Sequence, residues 1–177
     1  TALHLTGPYL LTRLLTPALS EGAKNEWARV IFVSTGGMYG VRLEPESLNR
    51  LELPYDGVTH YALTKRGQVV LACHLHRALA EHGIAVHSMN PGWVDTPNLR
   101  RAMPGFWRWM RWALRTPDEG ADTIVWLVAS KRADLAKESG FWLDRRREKF
   151  HLRPGTRHSQ AVEDQFIAQL DQWTADD

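Results

Sequence analysis

The spacing of hydrophobic positions changes several times along the chain. Tyr9, Leu10, Leu14, Leu15 and Leu19 recur at helical intervals, which predicts a first helix capped by Thr6, with Pro8 near its start and an end near Ser20–Gly22. Within Arg29–Ser34, Val30, Ile31, Phe32 and Val33 form an apolar run too short for a helix and rich in β-branched residues, as a strand buried on both faces would be. Gly36, Gly37 and Gly40 stop it, and Val41–Gly57, with Pro45, Pro54 and several charges, reads as a loop with at most a short helical turn.

From His60 to His82, Leu63, Leu71, Leu75, Ala78 and Leu79 line one helical face, and Gly83 stands where a C-cap glycine belongs. Ile84–Met89 alternates as a second strand, closed by Asn90-Pro91-Gly92. Pro117, Asp118 and Glu119 open another helix through Ala129, acidic where the helix dipole favours negative charge. Ser139–Leu143 reads as a last strand and Glu163–Trp173 as a terminal helix. Strands separated by helices of ten or more residues imply βαβ units, hence a parallel sheet with flanking helices.

At 177 residues the chain is one domain's worth, by the usual ~100–200 residues per domain. The core is expected over residues 3–143, with 144–177 as a C-terminal extension. A net charge of +2 supplies no broad positive field for nucleic acid. The single cysteine, Cys73, forms no internal disulfide, which suits a reducing cytoplasm, and it reads as a small apolar side chain on a helix. No apolar run approaches the ~20 residues of a membrane span. The first residue is Thr1, which suggests a missing start.

Three constellations carry chemistry. In Tyr61-Ala62-Leu63-Thr64-Lys65 the phenol and the ammonium lie one helical turn apart. A nearby ammonium favours the phenolate and fits the phenol for general acid–base work, although a solvated helix face gives the same spacing. Val33-Ser34-Thr35-Gly36-Gly37 runs from a strand into hydroxyls and then glycines. At the carboxyl end of a parallel sheet those hydroxyls can meet a ligand; an ordinary turn with local hydrogen bonds is the alternative. Asn90-Pro91-Gly92-Trp93-Val94-Asp95-Thr96-Pro97 follows the second strand and brings backbone groups and the Thr96 hydroxyl toward the same crevice, or is a plain turn.

In this order the three motifs, over roughly Leu3 to Leu143, resemble the short-chain dehydrogenase/reductase superfamily. Leu3–Thr12, Ser34–Met38, Asp95–Pro97 and Ala102–Phe106 look most like its retinol-dehydrogenase-like members, the member-12 group among them. The resemblance implies a Rossmann-like α/β fold and an NAD- or NADP-dependent oxidoreductase interconverting an alcohol and a carbonyl on a small hydrophobic substrate. Tyr61 would be the acid/base, with Lys65 lowering its pKa and binding the nicotinamide ribose. Thr35, beside Ser34, would hold the substrate oxygen, and Pro91, Gly92, Val94 and Thr96 would lie against the nicotinamide. Relatives pair through helices matching Thr6–Leu19 and His60–His82, which implies a homo-oligomer for the full-length protein.

Two departures follow. Relatives carry an asparagine that supports a proton path to the lysine where this chain has His4, which can still relay protons. None of the 13 glycines forms the dinucleotide-binding turn after a predicted strand, so the chain is expected to be the C-terminal portion of a longer enzyme, inactive by itself. A truncated or diverged interaction module and a nucleotide-sugar epimerase or dehydratase are the rival readings. The cluster Phe106, Trp107, Trp109, Met110 and Trp112 falls where relatives carry a mobile segment over the substrate, and a substrate lid, core packing or a membrane-surface or partner patch would each use it; Trp93, with Phe106 and Trp107, is expected to touch substrate. Arg145-Arg146-Arg147 reads as a solvated charged turn. His74 and His76 face differently on their helix and make no metal site.

Overall fold

The computed structural model describes every residue except Asn25, 50–54, Ala133 and 176–177. The elements are α1 (Thr6–Gly22), β1 (Ala28–Val33), α2 (Gly57–Leu79), β2 (Ile84–Met89), α3 (Pro97–Ala102), α4 (Pro104–Met110), α5 (Pro117–Ala129), α6 (Asp134–Lys137), β3 (Phe141–Leu143), β4 (Arg146–Glu148) and α7 (Gln160–Trp173), with short 3₁₀ turns between some of them.

Strand order is β1-β2-β3-β4. β1 runs parallel to β2 in the register Val30↔Val86 and Ile31↔His87, and β3 is parallel to β2. β4 turns back antiparallel to β3. The arginine run therefore belongs to a hairpin, with Asp144 and Arg145 at positive φ in its turn. Alternation along each strand sends side chains to opposite faces. Phe32, Ile84 and Val86 join Leu63, Leu71, Leu75, Leu5 and Phe166 in one core beneath α1, α2 and α7. On the other face Met89 and Trp142 meet Leu127 and Leu135 of α5 and α6.

All six residues of β2 are buried, because β1 and β3 flank it and helices cover both faces. β1 was expected to be equally enclosed, but most of it is only half-buried and Val33 is exposed. The reason is positional: β1 is an edge of the sheet, with a strand on one side alone.

Several helix starts follow side-chain chemistry, whereas α1 and α4 have no side-chain cap. Asp56 caps α2 by accepting from the Val58 and Thr59 amides, and Thr116 with Glu119 forms a reciprocal capping box on α5. Thr6 instead sits inside α1 and donates to the Ala2 carbonyl, so it does not cap that helix. Gly83 takes a left-handed conformation (φ 71°) and closes the turn after α2. Gly67 serves packing, since a Cβ there would lie 3.0 Å from Leu5 and 3.2 Å from Phe166, so α1 and α7 can press onto α2. The expected loop after β1 contains a 3₁₀ turn at Pro45–Leu48, and Pro54 lies outside the described residues. Cys73 is half-buried on α2, and burial pushes its thiol pKa up. Among the described residues no helix is long and apolar enough to cross a membrane, and no cluster suits a metal ion.

Candidate active site

The crevice lies at the carboxyl ends of β1 and β2, where both strands hand over to loops. The Ser34 amide donates to the Met89 carbonyl (2.7 Å) and the Asn90 amide to the Trp142 carbonyl (2.8 Å), so the two loops leave the sheet side by side. They touch, since a Cβ on Gly36 would sit 3.2 Å from the side-chain nitrogen Nδ2 of Asn90.

α2 delivers Tyr61 and Lys65 to this end. Lys65 is only 9% exposed, and its Nζ donates to the Val33 carbonyl (2.8 Å) and to Gln68 Oε1 (3.1 Å). An ammonium has three N–H groups, so one remains for a ligand. Burial lowers the Lys65 pKa to about 8, because a charged group loses water there without gaining a carboxylate. Tyr61 is 45% exposed, and its hydroxyl has no hydrogen-bond partner among the described residues. The Lys65 ammonium lies 5.5 Å from the centroid of the phenol ring. One helical turn thus sets the ammonium against the ring, and burial leaves the phenol pKa above its ordinary value. The lowering expected from the spacing is not present in this geometry.

His4 packs edge-on against the Tyr61 ring at 5.5 Å. Its Nδ1 lies 2.8 Å from the Thr64 hydroxyl, whose own hydrogen goes to the Tyr61 carbonyl. Nδ1 is therefore the protonated nitrogen and Nε2 keeps a free lone pair. Burial, followed by the Lys65 charge, lowers the His4 pKa, so the ring is neutral near pH 7.

The hydroxyl pair after β1 splits. Ser34, although expected to touch substrate, is buried and gives its hydroxyl to the Lys65 carbonyl (2.8 Å), binding strand to helix. Thr35 caps the next turn by accepting from the Gly37 amide (3.3 Å), which leaves its hydroxyl hydrogen free. Thr96 does the same for the Leu99 amide (3.2 Å) at the start of α3. Among the described residues, Tyr61, Thr35, Thr96 and one N–H of Lys65 are then unspent donors, a set suited to oxygen-rich groups such as a carbonyl, a carboxamide and ribose hydroxyls.

The expected substrate aromatics form a separate group. Trp93 packs against Phe106, with ring centroids 4.5 Å apart and the planes tilted by 44°. Trp107 donates to Asp95 Oδ1 (2.9 Å) beneath the Arg100 guanidinium. No hydrogen bond or ring–ring contact among the described residues joins this group to Tyr61. Pro91, Gly92 and Val94 form the stem between it and β2, with Arg115 donating to the Pro91 carbonyl and Val94 bridging to Arg115.

Two supporting residues escaped the motif reading. Gln68 accepts from Lys65 and donates to the His4 carbonyl (2.9 Å), and its position one helical turn from Lys65 was the signal for it. Thr64 sets the His4 tautomer, which only the tertiary contact reveals.

A family model described as short chain dehydrogenase matches residues 1–105. Human dehydrogenase/reductase SDR family member 12 is 38% identical over 171 residues, covering 96% of this chain and 52% of that protein. Human retinol dehydrogenase 11 is 31% identical over 142 residues, covering 78% of this chain and 42% of that protein. The chain spans about half the length of these curated relatives. Among solved structures, 3-ketoacyl-(acyl-carrier-protein) reductase from Brucella melitensis, complexed with NADH, superposes with a TM-score of 0.56 at 26% identity over 78% of this chain and 53% of that one. A Mycobacterium paratuberculosis protein reaches a TM-score of 0.64 over 96% of this chain and 56% of that one; at 20% identity it bears on the fold alone. The match to the family model over more than half of the chain, on a Rossmann-like sheet, establishes that this protein belongs to the short-chain dehydrogenase family.

Proposed function

We propose that this chain carries the acid–base half of a nicotinamide-dependent oxidoreductase that interconverts an alcohol and a carbonyl. The observation that carries this reading is the set of unspent donors around Tyr61 and Lys65 at the carboxyl ends of β1 and β2. These donors fit the nicotinamide-ribose end of NAD or NADP: Lys65 and Tyr61 would hold the ribose, and Thr96 with the Pro91–Val94 backbone the carboxamide. The pyrophosphate end finds no glycine-rich turn in these 177 residues.

When bound, the nicotinamide supplies or accepts the hydride. In reduction, Tyr61 gives its proton to the substrate oxygen as the carbonyl π electrons move onto that oxygen, and Thr35 holds the oxygen by donating a hydrogen bond. The resulting phenolate lies beside the Lys65 ammonium, which is 5.5 Å from the ring centroid, and regains a proton from solvent, with His4 Nε2 able to pass it. Oxidation runs the same steps backward. Trp93, Phe106 and Trp107 would meet the apolar part of a small substrate, and the assembled enzyme would be a homo-oligomer.

The test compares NAD(P)H-dependent turnover of a ketone and aldehyde panel by wild type and Tyr61→Phe, in the longest natural product containing these residues. Loss of at least about 100-fold with the fold kept is expected, since general acid–base catalysis contributes ~10²–10⁴ in rate. Near-normal turnover overturns the assignment. Lys65→Met should weaken cofactor binding, and calorimetry on the 177-residue chain itself should give only weak NAD(P) binding.

A further inference from the structure

Residues 97–115 hold five arginines and no acidic residue, in a protein whose net charge is only +2. Neither α3 nor α4 buries a single residue, so the segment stands on the surface of the body. Its aromatics divide. Phe106 and Trp107 turn inward onto Trp93 and Asp95, whereas Trp109 is 77% exposed and Trp112 is 83% exposed. The indole nitrogen of Trp112 donates to the Trp109 carbonyl (3.0 Å), which fixes the two side by side. Arg108 and Arg111 alternate with them in sequence and form no ion pair among the described residues, unlike Arg100 and Arg115, which are committed to Asp95 and Asp144. Met103, also exposed, adds apolar surface nearby.

We propose that this face docks on the interface of an anionic lipid bilayer, independently of the reaction assigned above. Two outward indoles are costly in water and suited to the headgroup boundary, where the ring is apolar and the N–H finds polar company. Uncompensated arginines beside them match negative headgroups and extend their apolar stems along the same boundary. A membrane is favoured over an acidic peptide because the indoles stand out from the body, and a peptide would need a groove to receive its side chains.

The experiment is co-sedimentation of the 177-residue chain with phosphatidylcholine vesicles made with and without phosphatidylserine, with tryptophan emission read in parallel. Binding at least about tenfold stronger to the anionic vesicles, weakened by salt and accompanied by a blue shift, is expected. The double variant Trp109→Ser/Trp112→Ser should lose the blue shift and most of the binding, and Arg108→Gln/Arg111→Gln should lose the preference for phosphatidylserine. Trp109 and Trp112 are largely exposed, Arg111 lies 5.9 Å over the Trp107 ring, and circular dichroism of each variant checks that the fold is kept. Absence of anionic-vesicle binding, or binding that both variants retain, overturns the proposal. So does self-association of the wild type that the tryptophan variant abolishes, or saturable binding of a poly-glutamate peptide with none to vesicles.

Discussion

Helices α1 and α2 cover the same face of the same sheet, yet the sequence has prepared them for different surroundings. α2 buries Ala62 to Ala72 without a break and then Leu75 and His76, enclosed by β2, by the turns after β1 and by α7. α1 buries only Tyr9 and Thr12 along its 17 residues. Leu11, Leu14 and Leu15 face outward, Leu14 at 69% exposure, and Leu3, Pro8 and Leu11 join Val30–Val33, Lys65 and Gln68 around an open cleft of about 380 Å³ along the free edge of β1. Tyr61 and Lys65 are therefore held on a helix whose packing is complete, while the opposite wall of the cleft beside Lys65 is not supplied by the described residues. Precise placement of catalytic groups needs the first condition; closing the site around a cofactor needs the second as well.

The sharpest way to break this comparison is at Arg66. It is fully buried on α2, and its guanidinium donates to the Phe150 carbonyl (2.5 Å) and the Thr156 carbonyl (3.2 Å), close to Met38 and His151. Burial lowers its pKa to about 10, so it stays charged at neutral pH while tying the segment after β4 to α2. Arg66→Ala leaves two buried carbonyls unpaired at ~1–3 kcal/mol each, and a cavity besides. A loss of about 3 kcal/mol or more in urea unfolding is expected. A loss below about 1 kcal/mol would show that α2 does not depend on this tie.

Acid should also strike the enclosed side. His87 on β2 accepts from the Gly140 amide (3.2 Å) and the Trp142 indole (3.3 Å) through Nδ1 and donates from Nε2 to the Leu135 carbonyl (2.9 Å). Burial first, and then His76, lower its pKa to about 4, against ~6.5 in an unfolded chain. Between those values the unfolded state binds the extra proton, so stability is full above pH 6.5 and falls as pH drops toward 4. The expected loss is about 2 kcal/mol at pH 5 and about 3 kcal/mol below pH 4. Urea midpoints across this range, compared with His87→Gln, measure it; equal slopes in the two proteins would remove His87 from the account.

How much of this was readable from sequence differs between the two helices. α2 was legible because its apolar spacing, its C-cap glycine and the Tyr-x-x-x-Lys pair all agree, and β2 fell at its predicted residues. α1 was legible as an element but not in its exposure, since leucine periodicity reports which face is apolar and not whether anything covers it. α3 and α4 were missed, being six and seven residues long and too short for periodicity to register. β4 was hidden because Arg146–Glu148 carries no strand pattern and pairs only through the turn at Asp144 and Arg145. At the site, the motifs located Tyr61, Lys65 and the hydroxyl pair, but which of Ser34 and Thr35 faces inward depends on the Lys65 carbonyl, a contact 31 positions away.

The smallest effect belongs to α1. A leucine that gains little burial on folding contributes little to stability, because the hydrophobic effect scales with the area removed from water. Leu11 and Leu14 are both largely exposed. The nearby Arg13–Asp171 ion pair (3.3 Å) joins α1 to α7 between half-exposed side chains, an arrangement worth ~0–1 kcal/mol. Leu11→Gln/Leu14→Gln should thus change unfolding free energy by no more than about 0.5 kcal/mol. Leu71→Ala on α2, where the side chain is fully buried, should cost about 2–5 kcal/mol. Light scattering on the double variant sharpens the comparison. If α1 pairs with a second copy, the variant is monomeric where the wild type is not, and the wild type's stability falls on dilution while the variant's does not. A cost above about 1.5 kcal/mol in a protein that is monomeric throughout would mean that the leucines are covered within the chain, and that α1 is as enclosed as α2.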